Sequence, residues 1–222
     1  MILEIPKLLS PAEVARLVAL YGELQFASGR SSNPANQTKN NLQADLTTPQ
    51  ASEASKIVAE ALTRSQMFYD FALPKHIATP LLVCYEPGMQ YGIHADVPHM
   101  RISNNQLLRS DLSATVFIAD PSTYQGGELV IHLGTQPVVV KGEAGSAIVY
   151  PSTTLHEVRP VTSGVRLVAV TFIESLIRDE AKRTLMYELN EVAVLEGLKL
   201  SWQNRVRLEG VRYNLMRMWS ED

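Results

Sequence analysis

The middle of the sequence, between about residues 76 and 175, is a series of short runs rich in Val, Ile, Thr and aromatic residues, divided by Pro, Gly and Asn turns. This composition and punctuation are typical of β-strands. The runs predict eight strands, at 80–86, 91–95, 112–118, 128–133, 136–140, 146–150, 155–159 and 165–173. Eight short strands at this spacing predict a mainly β core, either a double-sheet jelly roll or a barrel, and of these we favour the jelly roll, or double-stranded β-helix.

Helical patterns flank this core. Ser10, Pro11 and Glu13 have the arrangement of an N-cap, a first-turn proline and a capping box, so they predict the start of an N-terminal helix. A second helix is predicted over 52–67 from its stripe of apolar residues. The polar stretch 27–48 predicts a long loop, and long loops in compact domains are often functional.

Helical periodicity returns after residue 175. We therefore expect three regions: N-terminal helical and loop support over 1–75, the double-stranded β-helix core over 76–175, and a helical C-terminal appendage over 176–222. The last helix carries a mixed apolar stripe formed by Leu208, Val211, Leu215 and Met218. Such a stripe packs on the core or on another subunit, and it favours a homo-oligomer formed through the C-terminal helices.

The charge pattern and the single cysteine limit the partners and the compartment. The formal net charge of -3 is spread along the chain without a long basic run, which argues against a nucleic-acid partner. No apolar stretch approaches the length of a membrane span, so we expect no membrane contact. Cys84 has no second cysteine to pair with, which fits a reducing compartment, and we expect a cytoplasmic protein.

A histidine and an aspartate stand two residues apart in the segment YGIHADVPHM, at His94 and Asp96. Alternate side chains of a strand share a face, so both can point into one cavity. The pair alone is a weak signal because this spacing also arises by chance. It gains weight from His156 in a second predicted strand, since two imidazoles and one carboxylate form the facial triad that holds ferrous iron. Ten residues later, Arg166 offers a guanidinium fork suited to a carboxylate.

Four segments carry a family resemblance: YGIHAD, DLSATVFIADPSTYQGGELVI, YPSTTLHEVRPV and GVRLVAV. With them the chain resembles the prolyl-4-hydroxylase-like branch of the iron(II)/2-oxoglutarate dioxygenases, and most of all the bacterial PKHD-type hydroxylases. The resemblance implies that His94, Asp96 and His156 hold Fe(II) and that Arg166 binds the far carboxylate of 2-oxoglutarate. It also implies a tyrosine of this region that hydrogen-bonds 2-oxoglutarate; Tyr85 and Tyr91 are the two candidates, and we favour Tyr85.

The implied activity is hydroxylation of an unactivated C–H bond, with O2 as co-substrate and with 2-oxoglutarate decarboxylated to succinate and CO2. By analogy with relatives, L-ascorbate would re-reduce the iron. Two alternatives stay open, a non-catalytic iron or 2-oxoglutarate sensor and a zinc-dependent hydrolase. The nearest candidate base for the hydrolase, Glu157, would face away from His156 on a strand.

The substrate stays open between a small metabolite, an iron-chelating natural product and a protein side chain, since a fold does not determine its target. The polar segments 27–48 and 97–110 are the candidates for a lid and for the substrate mouth, because long loops of a compact domain often serve these purposes. Neither segment identifies the substrate.

Overall fold

Two antiparallel sheets form the centre of the molecule, which is described here from a computed structural model covering residues 1–34, 36–102 and 106–221. The larger sheet consists of β1 (Leu3–Ile5), β2 (Phe26–Ser28), β3 (Leu42–Ala44), β4 (Pro74–Ile77), β5 (Leu81–Tyr85), β9 (Leu112–Phe117), β13 (Ala147–Pro151) and β16 (Arg166–Ser175). Its strand order is β1-β13-β9-β16-β5-β3-β2, and β4 pairs with β16 beside this path.

The smaller sheet lies under the candidate site. It consists of β6 (Tyr91–His94), β11 (Leu129–Leu133), β12 (Gln136–Val140) and β14 (His156–Val158), in the order β12-β11-β14-β6. Two further strand pairs join β7 (His99–Arg101) to β8 (Leu107–Arg109) and β10 (Gln125–Gly126) to β15 (Val161–Ser163).

Five helices flank the sheets in the described part of the chain. They are α1 (Pro11–Tyr21), α2 (Pro49–Arg64), α3 (Gln66–Ala72), α4 (Glu180–Glu196) and α5 (Trp202–Trp219). The predicted start of α1 is confirmed, because the Glu13 amide donates to Ser10 Oγ at 3.3 Å and the Ser10 amide donates to the Glu13 carboxylate at 2.8 Å. None of the helices described is both long enough and apolar enough to cross a bilayer.

The larger sheet is covered on both faces. One face packs against α1, α2 and α3, and there β16 contributes Leu167 and Ala169. The other face packs against the smaller sheet, where Val168, Val83 and Tyr85 are buried. Strands that are buried on both faces read as continuous apolar runs rather than as an alternation, which explains the character of the predicted strand segments.

The predicted fold class, a mainly β double-stranded β-helix with flanking helices, is confirmed. All eight predicted strands are present, with ends within two residues of the predicted ones. The helix predicted over 52–67 differs, since α2 ends at Arg64 and α3 starts again at Gln66. Ser65 separates them because its hydroxyl accepts the Phe68 amide as a new N-cap.

The two segments predicted to be loops, 27–48 and 97–110, contain strands, so that part of the prediction was wrong. β3 lies between β5 and the edge strand β2 and pairs with both, and β7 pairs with β8. These short strands lack an apolar alternation of their own, and pairing with a neighbouring strand decides their conformation. Residue 35 and residues 103–105 of the two segments lie outside the described residues.

Candidate active site

The three candidate ligands His94, Asp96 and His156 converge at one edge of the smaller sheet. His94 ends β6 and is paired in register with His156, which starts β14. Asp96 follows β6 and brings its carboxylate between the two rings. Its Oδ1 lies 3.8 Å from His94 Nε2 and its Oδ2 lies 3.6 Å from His156 Nε2. All three ligand atoms lie within 4.8 Å of one another.

Each histidine ring is oriented by the backbone carbonyl of the residue two positions before it. His94 Nδ1 lies 2.8 Å from the Gly92 carbonyl oxygen, and His156 Nδ1 lies 2.9 Å from the Thr154 carbonyl oxygen. Because a carbonyl only accepts, each Nδ1 donates its proton, which leaves Nε2 with a free lone pair. Burial and the neighbouring His156 lower the pKa of His94 to about 4, so this ring is neutral at pH 7, the form that binds a metal.

A chain of buried serines fixes the carboxylate of Asp96. Ser113 on β9 donates to Asp96 Oδ2 at 2.6 Å, and its Oγ lies 2.7 Å from Ser152 Oγ. Ser110 donates in turn to Ser152 at 3.0 Å. Since each hydroxyl has a single proton, the chain runs from Ser110 through Ser152 and Ser113 to Asp96. The larger sheet thereby orients a side chain that follows a strand of the smaller sheet.

Arg166, the candidate anion clamp, is a buried cation without a counter-ion. It starts β16, lies in register with Tyr85 on β5, and is 1% exposed. Its Cζ lies 5.0 Å from the centroid of the Tyr85 ring, and its Nε has no hydrogen-bond partner. None of the acidic side chains described pairs with it. A buried guanidinium in this state is costly unless an anion joins it.

Gly127 leaves room for this arginine. Its φ is 69°, in the left-handed region that favours glycine, and a Cβ placed there would lie 2.9 Å from Arg166 Cδ. Gly126, the preceding residue, has a φ of 74° and lies in the same left-handed region.

Tyr85 lies beside the arginine with its hydroxyl proton available. Its Oη accepts from Asn41 Nδ2 at 2.9 Å, so the proton of the hydroxyl can be donated elsewhere. Burial raises the pKa of Tyr85, which keeps it in the donating form. Tyr91, in contrast, stacks on His94 with ring centroids 3.5 Å apart, and its hydroxyl accepts from Asn33.

These groups line one cavity of about 430 Å³, a size typical of sites for small organic ligands. The triad, Arg166 and Tyr85 all lie on its wall. Three further residues that were not predicted from the sequence lie there too, namely Ser113, Tyr150 and Lys39. A polar residue inside the apolar strand LSATVF was the available signal for Ser113, whereas Tyr150 and Lys39 have no distinguishing local pattern.

The donor set fits ferrous iron. Two imidazole nitrogens and one carboxylate, all directed to one point, leave coordination positions for further ligands. In the same cavity, Arg166 Nε has no hydrogen-bond partner and could donate to a carboxylate such as that of 2-oxoglutarate. The arrangement can therefore hold a metal together with a chelating dicarboxylate.

Comparison with known proteins agrees with this chemistry. The protein-family model of the 2OG-Fe(II) oxygenase superfamily matches residues 80–174 of the sequence. A PKHD-type hydroxylase of Sphingopyxis alaskensis is 50% identical over 195 residues, 87% of this chain and 88% of the relative. A PKHD-type hydroxylase of Xanthomonas campestris is 38% identical over the whole of both chains. A Burkholderia pseudomallei oxidoreductase of the 2OG-Fe(II) oxygenase family matches with a TM-score of 0.58 and 20% identity, over 77% of this chain and 82% of its own.

Proposed function

This chain belongs to the PKHD-type hydroxylases, within the 2OG-Fe(II) oxygenase superfamily, and we propose that it hydroxylates an unactivated C–H bond while 2-oxoglutarate is decarboxylated to succinate and CO2. Bound iron and O2 would supply the oxidising power, which no protein side chain provides. The work left to the protein is to hold, orient and enclose the reactants.

Each part of that work has a candidate residue. His94, Asp96 and His156 would hold Fe(II) through Nε2, a carboxylate oxygen and Nε2. Arg166 would bind the far carboxylate of 2-oxoglutarate, and Tyr85 would donate its hydroxyl proton to the same group. The serine chain behind Asp96 would keep the carboxylate in place during turnover.

The observation that carries the proposal is the buried, unpaired Arg166 on the wall of the cavity that holds the triad. A three-ligand site alone is compatible with several metals. A guanidinium kept out of water without a counter-ion needs an anion in that cavity, and a dicarboxylate that also chelates the metal meets this need.

The zinc-hydrolase alternative lacks a base. Glu157 points to the outer side of the smaller sheet, where its carboxylate lies 3.8 Å from His132 Nε2. Asp96 is the one acidic residue among the described residues that line the cavity, and metal ligation would occupy it. A metal-bound water would therefore have no second carboxylate to take its proton.

An anaerobic titration of metal-free protein with Fe(II) and 2-oxoglutarate tests the proposal. The chelate should produce a visible metal-to-ligand charge-transfer band in the wild type and in His132→Ala, whose histidine lies outside the cavity. His94→Ala should not produce it. Admission of O2 should then convert 2-oxoglutarate to succinate, at least slowly, even without a second substrate.

The outcomes separate the alternatives. If the charge-transfer band forms but no succinate appears with any of a panel of candidate substrates, the sensor would be favoured. A folded protein that forms no band but binds zinc would return the hydrolase to consideration. A band that survives in His94→Ala would show that the iron is bound elsewhere.

We also propose a cytoplasmic location. Cys84 is a buried free thiol whose pKa is raised by burial, and its Sγ lies 3.5 Å from Tyr21 Oη. A reduced, unreactive thiol of this kind fits a reducing compartment. Fractionation of the native host should recover the protein with the cytoplasmic enzymes, and recovery elsewhere would contradict the assignment.

A further inference from the structure

Lys39 is a nearly buried cation on the wall of the active-site cavity. The residue is 6% exposed, its Nζ donates to Ser32 Oγ at 2.6 Å, and it lies 4.9 Å from the centroid of the Tyr91 ring. An ammonium group has three protons to donate. One hydroxyl and one aromatic face replace only part of the hydration that it loses on burial.

None of the carboxylates that the structure describes compensates this charge. Among the described residues, none of the acidic groups lies within ion-pair distance of Lys39 Nζ, and the one acidic side chain that lines the cavity, Asp96, would serve the iron. With the proposed function, the charges of Fe(II) and 2-oxoglutarate cancel, and those of Arg166 and Asp96 cancel. Two further cations line the cavity, and Arg101 is exposed to water whereas Lys39 is buried, so the charge of Lys39 is the buried charge left over in the loaded site.

The position of Lys39 is fixed relative to the metal ligands. Its carbonyl oxygen accepts from Arg30 Nε at 3.1 Å. The preceding residue, Thr38, accepts the Gly92 amide at 3.1 Å, two residues before His94. The ring below the ammonium, that of Tyr91, stacks directly on His94. The cation is therefore held against the side of the iron site by the segment before β3.

We propose that Lys39 binds a carboxylate of the molecule that is hydroxylated, so that the substrate of this enzyme is an organic acid rather than a neutral compound. This inference rests on the proposed function, because it assigns Arg166 to 2-oxoglutarate and leaves Lys39 for the second substrate. A carboxylate on Lys39 compensates the remaining buried charge of the loaded site and places the rest of the substrate beside the metal.

Benzoate and benzamide provide a matched pair of probes that differ in charge and little in size. In protein loaded with Mn(II) and saturated with 2-oxoglutarate, the paramagnetic ion broadens the proton NMR lines of any ligand that binds near it. Benzoate should be broadened and benzamide should not. Equal behaviour of the two probes in the wild type would overturn the proposal.

Variants assign the effect to the lysine. Lys39→Met should weaken the broadening of benzoate about tenfold or more, and Lys39→Arg should retain most of it. Lys141→Met is the matched control, because Lys141 also lies over a tyrosine ring, 4.3 Å from the Tyr124 centroid, but outside the cavity. Unchanged benzoate binding in Lys39→Met would overturn the assignment.

The charge-transfer band keeps this test separate from that of the proposed function. A wild type without the band would refute the function itself. A normal band in the wild type that needs much more 2-oxoglutarate in Lys39→Met would show that Lys39 serves the co-substrate, which also overturns the proposal. The expected result is a band that forms at the same 2-oxoglutarate concentration in both proteins.

A second inference comes from the C-terminal hairpin, formed by α4 and α5. Its base is anchored where Leu215, Met216 and Trp219 pack against Ile177 and Met186. Beyond this anchor, α5 has no buried residue. The large apolar side chains that the hairpin exposes are Leu185, Val192, Val194, Leu195, Leu198, Leu200, Trp202, Val206, Val211, Tyr213 and Met218.

The charges of the two helices are complementary. α4 carries four glutamates with one lysine and one arginine, and α5 carries four arginines with a single glutamate, so α4 is net negative and α5 is net positive. Among the described residues, no ion pair joins α4 to α5 within the chain; the pair Arg205–Glu209, for example, lies within α5. A self-complementary surface of this kind suits a two-fold interface, in which each helix meets its opposite in the other copy.

We propose that the hairpin is the interface of a homodimer, with α4 of one protomer against α5 of its partner. An exposed apolar surface of this extent is uncommon on a monomer, and a second copy supplies both the apolar cover and the opposite charges. The active-site cavity does not take part in this contact.

Sedimentation velocity tests the dimer. The wild type should sediment as a dimer at micromolar concentration, and the double variant Val194→Glu/Leu195→Glu should sediment as a monomer with an unchanged charge-transfer band. Val139→Glu, at an exposed apolar site on β12, is the control and should stay dimeric. A monomeric wild type, or a dimer indifferent to the hairpin variant, would overturn the proposal, as would a monomer that floats with anionic vesicles.

Discussion

The active-site cavity and the C-terminal hairpin are stabilised in opposite ways. In the cavity, buried polar groups hold one another, as the chain from Ser110 through Ser152 and Ser113 to Asp96 shows. In the hairpin, none of the 18 residues of α5 is buried. The function of the cavity therefore depends on individual hydrogen bonds. The stability of the hairpin depends instead on helix propensity and on contacts spread over an extended surface. Single substitutions should have large effects in the first region and small effects in the second.

The largest effect is expected from Asp96→Ala, which removes the one carboxylate ligand. Iron affinity and succinate formation should fall below detection, while circular dichroism should show a folded protein. The two remaining imidazoles cannot hold ferrous iron against water with the same strength. Asp120→Ala, at a residue whose carboxylate accepts the Ser122 amide at 2.8 Å on the surface, is the control. Retained turnover in Asp96→Ala would remove this residue from the ligand set.

Arg166→Lys should have the next largest effect. Lysine keeps the positive charge but loses the planar fork, so the 2-oxoglutarate concentration that half-saturates the charge-transfer band should rise about tenfold or more. Iron affinity without 2-oxoglutarate should not change. Tyr85→Phe removes one hydrogen bond and should raise the same concentration only about two- to tenfold. If neither variant changes the affinity, the carboxylate clamp lies elsewhere in the cavity.

Ser113→Ala should weaken iron binding about tenfold without removing a ligand. Ser113 is a positioning residue, because its proton orients Asp96 and does not reach the metal. Ser113→Thr retains the hydroxyl and should restore most of the affinity. Ser110→Ala acts two hydrogen bonds away and should have a smaller effect. An equal loss of iron affinity in the Ser110 and Ser113 variants would indicate general loosening of the fold instead.

The contrast between the two regions also explains what could be predicted from the sequence. Seven of the eight predicted strands could be predicted because each is long enough for its own composition to indicate its conformation, and the three-residue β14 was predicted as part of the longer run 155–159. β3 and β7 could not, since three-residue strands in polar segments take their conformation from pairing with β5 and β8. The hairpin helices were predicted from periodicity, which is a local property.

In the site, His94 and Asp96 could be proposed together because a strand repeats every two residues. His156 and Arg166 were added from the chemistry of ferrous iron and of carboxylates. The structure brings these four residues to one cavity. Ser113, Tyr150 and Lys39 reach the same cavity only through sheet register and loop packing, which local sequence does not encode.

The smallest expected effects come from a pair of glycines, one beside the sheets that carry the cavity and one in the hairpin. A methyl group on Gly142 would meet the Phe117 ring between the two sheets, so Gly142→Ala should destabilise the protein by about 1–3 kcal/mol in urea unfolding. A methyl group on Gly210 in α5 would meet no atom within 4 Å, and alanine is the better helix former. Gly210→Ala should therefore raise the free energy of local opening in α5, measured by amide hydrogen exchange, by about 0.5–1 kcal/mol. The midpoint of urea unfolding should stay almost unchanged. A matching rise in the urea midpoint would instead show that the hairpin unfolds together with the sheets, and the division into two regions would then fail.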